Sequence, residues 1–119
     1  MKTSFDPRHR RRQHIIQQLF STEFHKQDVS EETQVVLDHS DEIDALIHKA
    51  APEYPVAKIN RVDLAILRLA VYELAFDKKE PANVIIDEAV ELAKEFANDT
   101  SPGFINGVLG NIAKKQVKK

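Results

Sequence analysis

The 119-residue chain is long enough for one compact unit with a hydrophobic core, or for two very small units that share an interface. It contains no Cys, which excludes disulfides, thiolate zinc sites and a Cys nucleophile. No stretch resembles a membrane span or a signal peptide, so a cytoplasmic protein is expected. The formal net charge is −2, but residues 1–12 and residues 114–119 each carry +4, leaving −10 on the rest. This distribution is typical of a protein attracted to a polyanion, or of an acidic protein that basic tails keep in solution.

The first predicted helix begins at Asp6-Pro7, where an acidic N-cap precedes a proline at the first helical position. Its apolar stripe recurs at helical spacing and consists of Ile15, Ile16, Leu19, Phe20 and Phe24. Continued toward the N terminus, the stripe meets Arg8, His9 and Arg12. We therefore expect the first turns of this helix to project beyond the core.

Four arginines crowd the start of this helix: Arg8, Arg10, Arg11 and Arg12. Cations near a helix N terminus oppose its dipole, so this is a locally unfavourable choice that often marks function. The planar guanidinium group can bind two phosphate oxygens at once. The run predicts contact with nucleic acid, and the alternative is an ordinary solvated face.

Ser30, followed by Glu31 and Glu32, predicts the start of a second helical segment. Its inner stripe consists of Val36, Ile43, Leu46, Ile47 and Ala50. The middle of the segment, residues 38–41, is polar, which leaves open whether it forms one helix or two. No His or acidic residue here has a recognised ligand spacing, so no metal site is expected.

Two prolines in residues 52–58 mark the one good internal boundary, between an N-terminal helical half (1–51) and a C-terminal helical bundle (56–119). The sequence NRVDLAILRLAVYELAF then predicts a central helix that is apolar nearly all round and buried on most sides. Asn60 is its expected N-cap, and Asp63 stands where the acid of a capping box would stand.

Two further helices are predicted, after Pro81 and from Ser101-Pro102. In the first of them the charged residues are expected to face water: Asp87, Glu88, Glu91, Lys94 and Glu95. In the second, Gly107 and Gly110 carry a helix-propensity penalty, which predicts close approach of another helix. With no strand-like alternation, the fold class is all-α, a compact bundle of about five helices.

No catalytic motif is present: there is no Gly-x-Ser-x-Gly, no glycine-rich phosphate loop and no dinucleotide fingerprint. The carboxylates are spread along sides of helices that are expected to face water, where general acid–base catalysis is unfavourable. We therefore expect a binding protein without catalytic residues, cofactor or metal.

Three parts of the sequence together resemble the NusB family of bacterial transcription antitermination factors. They are RHRRRQHIIQQLF (8–20), RVDLAILRLAVYEL (61–74), and VIIDEAVELAKEF (84–96) followed by FINGVLGNIAKK (104–115). The resemblance covers most of the chain except residues 27–50. It implies one all-helical domain of two small packed subdomains.

The resemblance also implies a function. The family binds boxA, a short single-stranded RNA element of ribosomal RNA leader transcripts, together with the ribosomal protein NusE in an antitermination complex. RNA binding would fall on Arg8, Arg10, Arg11 and Arg12 of the basic helix, and on Phe104 as a base-stacking aromatic. Contact with the protein partner would involve Phe20 and Glu73.

The chain departs from the family pattern in three places. The region between the first helix and Ser40 is short, which predicts a reduced N-terminal subdomain. Phe20 stands where Tyr is common, and Thr100 where an acid is frequent. Two alternative functions remain: a helical protein–protein interaction module or homodimer, and a stand-alone relative of the NusB-like domain of RNA methyltransferases.

Overall fold

The computed structural model describes the backbone of residues 6–117 and the side chains as far as residue 115. Lys2, Lys118 and Lys119, which contribute to the two basic ends, lie outside these described residues. Residues 6–117 form six α-helices: α1 (Pro7–Thr22), α2 (Glu31–Asp38), α3 (Ser40–Ala50), α4 (Arg61–Tyr72), α5 (Ala82–Phe96) and α6 (Ser101–Val117). A short 3-10 helix (Val56–Lys58) precedes α4, and a π-helical turn (Glu73–Asp77) follows it. The all-helical fold class is confirmed.

Helix α4 lies at the centre of the fold, as its sequence predicts. Every residue from Asp63 to Val71 is buried except Arg68, and the other helices pack around it. The Asn60 side chain accepts hydrogen bonds from the amides of Val62 (2.9 Å) and Asp63 (3.3 Å), which confirms the predicted cap. Asp63, at the position of a capping-box acid, has its Oδ1 buried without a hydrogen-bond partner, and the capping box stays a prediction.

The N-terminal half contains one long helix and two short ones. The segment from residue 31 to residue 50 is two helices, separated at His39, which resolves the alternative that the sequence left open. Ser30 caps α2 as predicted, with its hydroxyl accepting from the amide of Thr33. Buried side chains of both halves form one continuous core. The division of the chain at residues 52–58 stays a prediction. The expectation that the N-terminal subdomain is smaller than is usual in the family also stays a prediction.

Two expectations about packing were wrong. Phe24 does not belong to the buried stripe of α1, because it follows the end of the helix and is 62% exposed. Gly107 and Gly110 do not mark a close helix crossing, since a Cβ atom at either position would meet nothing within 4 Å. They lie on the open face of α6.

No helix within the described part of the chain is both long enough and apolar enough to cross a bilayer.

Candidate nucleic-acid interface

The N-terminal turns of α1 begin as the sequence predicts. Asp6 precedes the helix, its carboxylate accepts a hydrogen bond from the amide of Arg8 (2.9 Å), and Pro7 takes the first helical position. These turns do not project freely, however. They lie against α5 and the connection between α4 and α5, and that contact divides the basic residues into a buried pair and an exposed set.

Arg12 belongs to the buried pair, which corrects the expectation that it would project into solvent. Only 3% of it is exposed. Its Nε donates to both carboxylate oxygens of Glu73, at 3.1 Å each, and its Nη2 donates to Glu80. Its Nη1 lies 3.6 Å from Glu88 Oε1. Arg12 therefore joins α1 to the π-helical turn after α4, to the connection that follows it, and to α5.

The electrostatics of this network are consistent with an ionised arginine. Burial favours the neutral form of Arg12, but Glu73 and Glu80 outweigh it and raise the pKa of the guanidinium above its ordinary value. Burial also acts against the charged form of Glu80, yet the hydrogen bond from Arg12 outweighs it and lowers the pKa of Glu80. Glu80 and Arg12 are therefore both charged at neutral pH.

His9 is the second member of the buried pair and was also expected outside the core. Its Nδ1 lies 2.9 Å from Glu88 Oε1, and its Nε2 lies 2.8 Å from Glu95 Oε2. Burial acts to lower the pKa of His9, but the hydrogen bonds to the two glutamates outweigh it and raise that pKa above its ordinary value. Glu88 was expected to face water and is instead almost fully buried.

Three arginines of the run remain exposed: Arg8, Arg10 and Arg11. Arg8 donates to Glu80 (2.9 Å) with a side chain that is 62% exposed, and it lies 3.6 Å from Asp6. Arg11 lies 3.6 Å from Glu32 on α2. Ion pairs as exposed as these are weak and easily exchanged, so these guanidinium groups can turn to a ligand.

A cleft of about 350 Å³ lies between α1 and the connection from α4 to α5. Three cations and three acids line it together with Ile85: Arg8, Arg11, Lys79, Glu73, Asp77 and Glu80. The Lys79 side chain is 82% exposed and belongs to this basic surface. Sequence reasoning did not assign it there. The dipeptide Lys78-Lys79, which follows the predicted central helix, was the available signal.

The predicted stacking residue, Phe104, lies in the first turns of α6 and is half-buried. Its ring contacts Tyr54 edge-on, with ring centroids 5.2 Å apart. Tyr54 is 53% exposed, and sequence reasoning treated it only as part of a proline-rich boundary. The structure thus adds a second aromatic ring beside Phe104.

The two residues expected to face a protein partner differ in accessibility. Phe20 is half-buried and packs against exposed Phe24, with ring centroids 5.0 Å apart. Glu73 is 6% exposed and bound by Arg12. This burial leaves the Glu73 carboxylate little surface for a direct partner contact, and its role toward a partner stays a prediction.

Within the described residues, no group of three or more His, Cys, Asp or Glu side chains is arranged to hold a metal ion. Four acidic residues of the interface bind arginine or histidine instead: Glu73, Glu80, Glu88 and Glu95.

Comparison with known proteins identifies the family to which this chain is similar. A model of the NusB family matches residues 11–114. "Transcription antitermination protein NusB" of Geobacter sulfurreducens is 50% identical over 78 residues, which are 66% of this chain and 56% of that protein. The Bacillus subtilis protein of the same name is 48% identical over 77 residues, 65% of this chain and 59% of the relative. The chain therefore matches little more than half the length of these relatives.

A solved structure extends the similarity over almost the whole fold. NusB of T. maritima superposes with a TM-score of 0.84 at 33% identity, covering 97% of this chain and 94% of that one. The arrangement of the six helices is therefore that of a NusB fold.

Proposed function

The chain belongs to the NusB family, and from this premise we propose that it is a transcription antitermination factor that acts by binding RNA. Its ligand is a boxA-like single-stranded RNA of ribosomal RNA leader transcripts. The protein works as a non-catalytic adaptor within an antitermination complex.

The observation that carries the proposal is the placement of the exposed arginines. Arg8, Arg10 and Arg11 lie on the first turns of α1, which buried ion pairs of Arg12 and His9 hold against the body of the protein. Exposed guanidinium groups on a helix that is held in this way suit the phosphates of a nucleic acid. Lys79 adds a fourth cation at the adjoining cleft.

Sequence preference requires contacts to bases as well as to phosphates. Unpaired bases stack on aromatic side chains, and Phe104 offers a half-buried ring with Tyr54 beside it. We assign base stacking to Phe104 and phosphate contact to the exposed arginines. Arg12, which the resemblance also implied as an RNA ligand, supports them by fixing α1.

The protein partner in the proposal is the ribosomal protein NusE. Phe20 and exposed Phe24 form an aromatic pair at the end of α1, which is a suitable contact for a partner protein. Glu73 acts only through Arg12, because it is buried.

Fluorescence anisotropy with a boxA-like RNA and a scrambled RNA of equal length tests the proposal, with and without NusE. We expect tighter binding of the boxA-like RNA, and a further gain when NusE is added. The variant F104A should lose most of the preference between the two RNAs while keeping binding to both. The exposed phenylalanine variant F96A, on α5, is the matched control. Equal affinity of the native protein for the two RNAs would contradict a boxA function.

A further inference from the structure

His9 lies between two carboxylates, and neither of its ring nitrogens faces water. Nδ1 meets Glu88 at 2.9 Å and Nε2 meets Glu95 at 2.8 Å, with only 4% of the side chain exposed. A neutral imidazole has one donor and one acceptor nitrogen, whereas a protonated imidazole donates from both. Two carboxylate acceptors are therefore satisfied together only by the protonated ring.

The contact joins elements that are far apart in the sequence. His9 is separated from Glu88 by 79 residues and from Glu95 by 86, so the two hydrogen bonds connect the first helical turn of α1 to α5. Gln13, one turn further on, donates to the other oxygen of Glu95 (3.0 Å). The ring thus fixes the part of α1 that carries the exposed arginines.

We infer that protonated His9 is a positioning residue for the RNA-binding surface, clamping α1 to α5 so that Arg8, Arg10 and Arg11 are held in place. The inference rests on the proposed function, because the surface that it positions is the proposed RNA interface. His9 itself does not touch the RNA.

Loss of the proton would open the clamp. The neutral ring would present a lone pair to one of the two carboxylates, and repulsion would replace a charge-assisted hydrogen bond. The charged groups of the surrounding network come from four elements: Arg8 and Arg12 on α1, Glu73 in the π-helical turn, Glu80 in the following connection, and Glu88 and Glu95 on α5. Acids outnumber cations among them, which favours the protonated ring.

The direction of the pH dependence follows from this arrangement. The two glutamates outweigh burial and raise the pKa of His9 above its ordinary value of about 6.5. The stability contributed by the clamp is complete below that ordinary value and is lost as pH rises through the higher pKa of the folded protein. RNA affinity should therefore weaken as pH rises through the pKa of His9 in the folded protein.

The test measures the titration of His9 by NMR together with RNA affinity from pH 5.5 to 9, using the boxA-like single-stranded RNA as the probe. We expect the titration midpoint of His9 to lie above about pH 6.5. At pH values above that midpoint, the dissociation constant for RNA should increase by at most about tenfold per pH unit, because one proton is lost. The variant E95Q should move the NMR midpoint and the affinity midpoint downward together.

Two variants serve as matched controls. E91Q removes an exposed carboxylate of α5 that pairs only loosely with Lys94 (3.4 Å), and H14Q removes an exposed histidine of α1. Neither should move either midpoint. A purely structural role for Glu95 would weaken binding at every pH without a parallel shift.

Three results would overturn the inference: a His9 midpoint at or below about 6.5, an RNA affinity that is constant while His9 titrates, or an E95Q shift in only one midpoint. Failure of the proposed function is distinguishable from these. If no RNA binds at any pH, amide hydrogen exchange in α1 tests the clamp alone. Protection in α1, taken relative to the intrinsic base-catalysed exchange rate at each pH, must fall as His9 loses its proton.

Discussion

At the residue scale, the burial of His9 and Arg12 is the main result that sequence reasoning did not anticipate. Both lie on the continued apolar stripe of α1, and the stripe does face the interior there, toward acids instead of apolar side chains. A signal was present: Glu88 and Glu95 stand seven residues apart, on one face of α5. Reading α5 alone placed both in water, which holds for Glu95 but not for Glu88, because a single helix does not reveal the charges of its neighbour.

The variant R12A should be strongly destabilising. It would leave Glu73 buried without its cation, and breaking a buried ion pair in this way costs about 3–5 kcal/mol of the free energy of unfolding. Urea unfolding followed by circular dichroism measures the change.

The variant R10A is the matched control for R12A, since it removes an exposed arginine of the same helix. Its free energy of unfolding should stay within about 0.5 kcal/mol of the native value. An R12A protein as stable as R10A would contradict the structural role of Arg12.

At the element scale, local signals in the sequence predict where the helices begin better than how they pack. Asn60 caps α4 and Ser30 caps α2 as expected, because capping depends on residues within one turn. The glycines of α6 show the limit of such reasoning. Their propensity penalty has several possible causes, and only the packed structure shows that open space surrounds Gly107.

The variant G107A should stabilise the protein. The position is helical, no glycine in the described part of the chain has a positive φ, and a Cβ atom would meet nothing within 4 Å. Replacing glycine by alanine in an exposed helix interior should contribute about 0.5–1 kcal/mol to the free energy of unfolding. Thermal unfolding measures this, with G110A as a second open site. A lowered unfolding temperature in both variants would contradict the prediction and show that the open face of α6 is covered.

At the scale of the whole molecule, the family and its all-helical fold could be predicted from the sequence, because the central helix and the two that follow carry a specific combination of motifs. The division of the basic run into buried and exposed arginines could not, since it arises from contacts between residues more than 60 positions apart. The acidic body binds Arg12 and His9 internally, while Arg8, Arg10 and Arg11 stay at the surface. The arginine run, which looks uniform in the sequence, thus has two roles in the fold.

The central claim, that the exposed arginines contact RNA phosphates, is tested most directly by the salt dependence of RNA binding. Each phosphate contact to a single strand contributes about −0.7 to the slope of log K against log salt concentration. The double variant R10A/R11A should therefore flatten the slope by about 1.4 if each arginine neutralises one phosphate. The control K49A/K94A removes two exposed cations of α3 and α5, and its slope should equal that of the native protein. An R10A/R11A slope equal to that of the control would contradict the account.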